Sequence, residues 1–344
     1  MTVNVLNNTA HAISSIAASV TAMLGAGVIN VGVLVDGTSN VDGTPFVSDI
    51  VTQASNASRT NYSNNGLTPD NNAPYGVTSN SFSSYTFAQE TTWYSAMVAG
   101  GIINNWAYVP NGGPLPAGTV PPSATCVLLS ADSGATSGPG IEFGMTASYK
   151  GVGTNSPSAA TAVMAGILAS LKYNHPSWNW FDIKAALRQT AANWATGYDP
   201  TNYGFGAVNF DTATAVGTIY LQPPAVTYTL TSDDIVFTLY PFRQTRRVRE
   251  EIWYIPGSAA LTIKNEWTSA DLVALNATLV YQSNGTDVIP IAMATARAGT
   301  TNGVSAGVGR MVVFTTDGAG NYSSPQSYNV VPFTAISGAG LIGV

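Results

Sequence analysis

Small and apolar residues recur at helical spacing across residues 9–25, and "VINVGVLVDG" at 28–37 is then a near-continuous apolar run of strand length closed by Asp-Gly. The pattern predicts a helix followed by a buried, parallel strand. Residues 38–85 form a long tract of Ser, Asn, Thr and Gly, expected to hold surface loops or short edge strands. "TFAQETTWYSAMVAGGIINN" predicts a helix, "ATCVLLSADSGA" at 124–135 a second buried strand ending in Asp-Ser-Gly, and residues 158–173 a helix apolar almost all round. In "SWNWFDIKAALRQTA" a further amphipathic helix follows, which Asn179 or Asp182 can cap, and "GYDPTNYGFGAVNF" closes the unit. Strand, helix, strand, helix implies an α/β domain with a parallel sheet.

At "LQPPAV", residues 221–226, the pattern changes. Short alternating runs such as "AVTYTLTS", "DIVFTLYPF", "EIWYIPG" and "ALTIKNEWT" are separated by turn residues, which predicts an all-β sandwich. "GRMVVFTTDGAGNYSSPQSYNVV" reads as two strands around Asp317 to Asn321 and resembles the last hairpin of immunoglobulin-like or fibronectin-type modules. The expected division is an α/β domain over 1–220, a β-sandwich over 224–335 and an apolar C-terminal tail over 336–344. With no charge in "FTAISGAGLIGV", that tail is expected to dock on a domain or a subunit.

Composition narrows the partners. Of the 344 residues 45% are hydrophobic but only 9% charged, against about 25% in an average soluble domain. A surface that is polar yet nearly uncharged, with a net charge of −6, argues against nucleic acid, whose phosphates call for a dense Lys/Arg field. Cys126 is the only cysteine, so an intrachain disulfide and a thiolate metal cage are excluded. Scattered aspartates form no calcium-loop pattern, and neither a metal nor a cofactor is expected. The N-terminus carries no basic start and its apolar run is broken by Ser and Thr, so neither a signal peptide nor a membrane span is expected.

Three separated pieces resemble subtilisin-like serine proteases and their serine-carboxyl relatives, the sedolisins, in the family's order. "VGVLVDG" looks like the strand presenting the catalytic aspartate, here Asp36. "VLLSADSGA" looks like the sedolisin strand with an oxyanion-hole aspartate, here Asp132. The stretch from "SPSAATAVMAG" through "NHPSWNWFDIKAALRQTA" to "GYDPTNYGFGAVNF" is similar to the nucleophile helix, its follower and the closing segment. Read without gaps back from Ala165-Gly166, the nucleophile position falls on Ser158, whereas a gapped reading of "GTN" puts Asn155 there. Such places suit the chemistry, because ligands in open α/β sheets bind at strand carboxyl ends and a helix N-terminus offers N–H groups to an oxyanion.

A serine needs a positioned base. "YSAMVAGG" is similar to the subtilisin helix that carries the catalytic histidine, with Tyr94 in the histidine's place. His175 lies beyond a helix of about four turns from Ser158, roughly 20 Å or more away. His11 precedes the strand at 28–37. In "ETTWYSA", which resembles the acidic helix of sedolisins, Glu90 takes one of two acidic positions, and Thr86 or Tyr94 the other. Ser158 is therefore expected to act as a helix N-cap, and the chain to be a structural or binding component of a larger assembly such as a virus surface, built on a catalytically degenerate subtilisin-like fold. Its partners would be other proteins or copies of itself. Two alternatives remain: a serine-carboxyl peptidase using Ser158, Glu90 and Asp132, and a carbohydrate-binding surface protein. "FRQTRRVREEIW" at 242–253 reads as a turn whose arginines pair with Glu250, Glu251 or a neighbouring chain.

Overall fold

In the first half the apolar runs become strands of one parallel sheet. The computed structural model describes residues 4–7, 13–24, 33–35, 75–80, 103–107, 127–132, 141–146, 148–194, 204–230, 235–256, 261–262, 264–285, 291–295, 308–325, 330–336 and 340–343. The chain divides into two units, Met1–Thr218 and Ile219–Val344.

In the first unit the described elements begin with β1 (Asn4–Asn7), α1 (Ile13–Leu24), β2 (Val33–Val35), β3 (Tyr75–Asn80), β4 (Ile103–Ala107), β5 (Val127–Asp132) and β6 (Phe143–Met145). The sheet order is β2-β1-β3-β4-β5-β6, with every neighbouring pair parallel. Two expectations are corrected. Residues 75–80, within the tract read as loops or edge strands, form an interior strand paired on both sides, and residues 103–105, read as the end of a helix, are extended. The reason is tertiary: Val77, Ser79 and Asn105 are buried, and Asn105 Nδ2 donates to the Thr161 carbonyl at 2.6 Å, so small polar residues stand where a sequence pattern expects aliphatic ones.

A hairpin of β7 (Ser148–Tyr149) and β8 (Val152–Gly153) follows, turning at Lys150 and Gly151 with φ of 48° and 82°, the left-handed pair that such tight turns require. Next come α2 (Pro157–Asn174), α3 (Trp180–Thr190) and α4 (Phe210–Thr214). Every residue of α2 from Ala160 to Leu171 is buried, which explains its lack of a polar face. It packs between the sheet and α1, and the core gathers Ile16, Val20, Val77, Phe143, Ile167 and Leu168. On α3, Asn179 caps the first turn by accepting from the Asp182 N–H at 2.9 Å, and Asp182 accepts in return from the Asn179 N–H at 3.0 Å, so both sequence candidates serve the cap.

The second unit is antiparallel. It contains β9 (Ala225–Leu230), β10 (Ile235–Tyr240), β11 (Arg249–Pro256), β12 (Glu266–Thr268), α5 (Ser269–Ala274), β13 (Thr278–Gln282), β14 (Ile291–Thr295), β15 (Val308–Thr316), β16 (Asn321–Ser323), β17 (Val330–Ile336) and β18 (Gly340–Gly343). One sheet runs β14-β10-β9; the other runs β12-β16-β15-β11-β13, with β17 on β15 and β18 on β17. The hairpin read around Asp317 is shorter than expected. β15 meets β16 at the single pair Thr316 and Tyr322, and its main partners are β11 and β17. Residues 340–343 of the apolar tail pair with β17 of their own chain. The core here is aromatic: Trp267, Phe314 and Tyr322 lie with ring centroids 5.7 Å apart in successive pairs, beside Val312 and Leu272.

Asp317 holds the turn after β15. Its Oδ1 accepts from the Ala319 and Asn321 N–H groups at 2.9 and 3.2 Å, and its Oδ2 from Asn321 Nδ2 at 2.7 Å and Arg246 Nη2 at 3.0 Å. Burial raises the carboxyl's pKa, but these hydrogen bonds outweigh burial and hold it below the ordinary range. A depressed folded value contributes stability above the unfolded value and loses it as pH falls through the folded one. Asp317→Asn is therefore expected to lower the urea midpoint of the second unit at neutral pH, the gap to the parent chain closing as pH is lowered towards about 3. A gap that is constant with pH would count against this account.

Candidate functional site

At the entrance of α2 the sequence places Asn155, Ser156, Pro157 and Ser158 in succession. The cap is Ser156, not Ser158. With extended backbone at φ −149° and ψ 157°, Ser156 accepts through Oγ from the Ala159 N–H at 3.2 Å, and its carbonyl accepts from the Ala160 N–H at 2.9 Å. Pro157 decides this register: it suits the first helical position, where its missing N–H has no helical partner to lose. Ser158 consequently stands inside the first turn, half-buried, and Asn155 is exposed just ahead of the cap. One turn on, Thr161 Oγ1 donates to the Pro157 carbonyl at 2.8 Å, and Asn105 of β4 ties that turn to the sheet. The buried Thr154 donates from Oγ1 to the Thr146 carbonyl, anchoring the approach to the helix.

A base must be sought around this turn. His175 is the C-cap of α2, stacked on Trp178 with centroids 3.6 Å apart and 5° between planes, and its Nε2 donates to the Thr214 carbonyl at 2.9 Å. The helix length puts it about 25 Å from Ser158. The first-unit carboxylates with described side chains are each engaged. Glu142 meets Lys184 Nζ at 2.9 Å and Arg188 Nη2 at 2.6 Å; Asp182 completes the capping box of α3; Asp211 takes Lys150 Nζ at 2.7 Å. Asp132 is the last residue of β5, in register with Met145 of β6. Asp36, Glu90, Tyr94 and Thr86 lie outside the described residues. β2, which leads to Asp36, is separated from β5 by β1, β3 and β4, a lateral distance of about 19 Å at ordinary strand spacing.

His11 does precede the strand read at 28–37, but a further strand, β1, comes before it in the chain. His11 itself lies outside the described residues; α1, which starts two residues later, packs along α2 with Ser19 and Ile16 against Gly166. A four-residue strand such as "NVLN" gives too short an apolar run to be read from sequence.

The buried triad of Glu142, Lys184 and Arg188 was also missed. All three side chains are at most 1% exposed, and the Arg188 guanidinium lies 4.9 Å from the Phe205 ring centroid. Lys184 and Arg188 are one helical turn apart on α3, which was legible, but only the fold brings Glu142 to them. The arginine run at 243–249 is resolved within the chain: Arg247 pairs with Glu250 at 2.5 Å, Arg249 with Glu251 at 2.8 Å, and Arg246 with Glu266 and Asp317 at 2.8 and 3.0 Å. Among the described residues there is no cluster of three or more potential metal ligands, and no helix is long and apolar enough to cross a membrane.

No protein-family model matches the chain, and no curated protein matches it in sequence. Solved structures do. MycP1 from Mycobacterium smegmatis is similar at 16% identity and a TM-score of 0.32, over 42% of this chain and 51% of that one. Fervidolysin from Fervidobacterium pennivorans, a keratinolytic enzyme related to subtilisin, is similar at 11% identity and a TM-score of 0.32, over 78% of this chain and 58% of that one. The serine protease of Aeromonas sobria is similar at 11% identity and a TM-score of 0.27, over 74% of this chain and 70% of that one. The chain thus spans about half the length of the MycP1 structure, and likeness at this level assigns no activity.

Proposed function

We propose that this chain is a structural or binding component of a larger assembly, in which a subtilisin-like α/β unit and an immunoglobulin-like β-sandwich serve as scaffolds and peptide hydrolysis has been lost. One observation carries the reading: the described first-unit groups that a serine would recruit as a base are already used to hold the fold. His175 closes the far end of α2, Glu142 neutralises buried cations, Asp182 caps α3, and Asp211 pairs with Lys150. Ser156 itself is engaged as the helix cap. A low-charge polar surface suits close lateral packing against other proteins or further copies, as on a virus particle.

The test is an assay of the full chain with a mixed peptide library and a serine-directed fluorophosphonate probe between about pH 3 and pH 8, the range over which a carboxylate or imidazole base changes state. Neither cleavage nor labelling is expected. Activity that disappears in Ser158→Ala overturns the proposal. A second reading has its own observation, the packing of α1 on α2 two residues after His11: the chain is then a serine peptidase with His11 as base. That reading requires labelling lost in both Ser158→Ala and His11→Ala, with a rate that rises as imidazole deprotonates. A serine-carboxyl peptidase would instead show an acid optimum and lose activity in Glu90→Gln.

A further inference from the structure

The second unit does not begin at its first strand. Residues 219–222 precede β9, yet side chains distant in sequence hold their backbone. Arg246 Nη1 donates to the Ile219 carbonyl at 3.0 Å, and Gln244 Nε2 donates to the Tyr220 carbonyl at 3.0 Å. The Leu221 N–H donates to Glu266 Oε1 at 2.7 Å, and the Gln222 N–H to Gln244 Oε1 at 2.6 Å. Leu221, Gln222, Pro223 and Pro224 are all buried.

Two features separate this arrangement from ordinary loop packing. First, backbone groups of four successive residues are satisfied by three side chains, where a sheet would use backbone partners. Each of these bonds can be lost without breaking a strand ladder. Second, two of the three side chains, Arg246 and Glu266, are joined in one node. Arg246 bonds Glu266 Oε1, the same oxygen that accepts from Leu221, and reaches Asp317 Oδ2 on the turn after β15. The node is about one-third exposed at Arg246, so water and salt reach it.

We propose that residues 219–224 form a releasable clasp, a strap closed on the second unit by Gln244, Arg246 and Glu266, whose opening adds its length to the connection from the first unit while the sheet of β11 and β15 stays folded. Extended, the released strap reaches roughly 20 Å. Two of its four bonds are charge-assisted, from Arg246 to the Ile219 carbonyl and from the Leu221 N–H to Glu266, and removing the one guanidinium deletes the first and unpairs the acceptor of the second.

Amide hydrogen exchange on the full chain tests this. In the parent chain the Leu221 and Gln222 amides are expected to exchange at least about tenfold faster than those of Ile252 and Tyr254 in β11, because a local opening exposes only the strap. In Arg246→Met strap exchange is expected to accelerate about tenfold or more, with the β11 amides nearly unchanged. Gln244→Leu, which keeps the Arg246 node, should accelerate Gln222 above all and serves if Arg246→Met does not fold. Equal exchange of strap and β11 amides in the parent chain would mean that the strap opens only with global unfolding, and would overturn the proposal. So would strap exchange that neither variant alters.

Discussion

Glu142→Gln is expected to lower the unfolding free energy of the chain by about 3 to 5 kcal/mol, the cost of removing one partner from a buried ion pair. The carboxylate is the common partner of Lys184 and Arg188, and all three groups are essentially removed from water. Glutamine keeps the shape and some hydrogen bonding but leaves two buried cations facing a neutral group. The position is also architectural. Glu142 directly precedes β6, its carbonyl accepts from the Phe205 N–H at 2.9 Å, and Gly144 pairs with the segment at 206–208, so the triad fastens α3 to the last strand of the sheet. Urea unfolding followed by tryptophan fluorescence measures the change, with Trp180 at the start of α3 as a reporter. A loss below about 1 kcal/mol would show that the triad is no more than an exposed-type pair in energy. Replacing all three residues together, as Glu142→Leu, Lys184→Met and Arg188→Met, should restore most of the loss, because the desolvation cost disappears with the charges.

Gly166→Val is expected to cost about 3 kcal/mol, at the upper end of ordinary overpacking. A Cβ at Gly166 would lie 1.8 Å from Ser19 Oγ, 2.9 Å from Ser19 Cβ and 3.3 Å from the Ile16 carbonyl, so α1 and α2 touch where glycine has no side chain. The sign of the alanine variant is diagnostic. On helix propensity alone Gly166→Ala would gain close to 1 kcal/mol, and a loss therefore reports the interhelix contact. Ser19 rotates only by giving up its 2.8 Å hydrogen bond to the Ile16 carbonyl. Combining Gly166→Ala with Ser19→Gly should recover stability, with a coupling near 1 kcal/mol or more in a double-mutant cycle. Additive effects would indicate that the helices separate to accommodate the methyl group. Since α2 carries Ser156 and Ser158 and α1 follows His11, the same variants test how far the entrance of α2 depends on this crossing.

Local order was readable where a residue's own neighbours in sequence decide its state. The amphipathic period of α3 and its Asn179/Asp182 cap, the apolar run of β5 and the change to alternating strands after residue 221 are of this kind. Elements whose state depends on a distant partner were not. β3 and β4 contain Ser79 and Asn105 at interior positions, which are stable there because α2 covers them and Thr161 accepts from Asn105. β1 and α5 are too short for a period to show.

The candidate site divides along the same line. A serine at the entrance of an apolar helix, a histidine too far along that helix to reach it, and an arginine run with acidic partners nearby were all determined by the sequence, because helix rise and residue spacing are local quantities. Which serine caps, however, depended on Pro157 taking the first helical position. The tertiary structure alone decided that β1 precedes His11, that Glu142 is spent on two buried cations, that Arg246 leaves its own run to bind Glu266 and Asp317, and that residues 219–222 are clasped to the second unit. For the first the reason is length, since four residues show no period; for the other three it is that the cost of burying a polar or charged group is settled by whichever partner the fold brings within hydrogen-bond distance, and a single sequence does not state which partner that is.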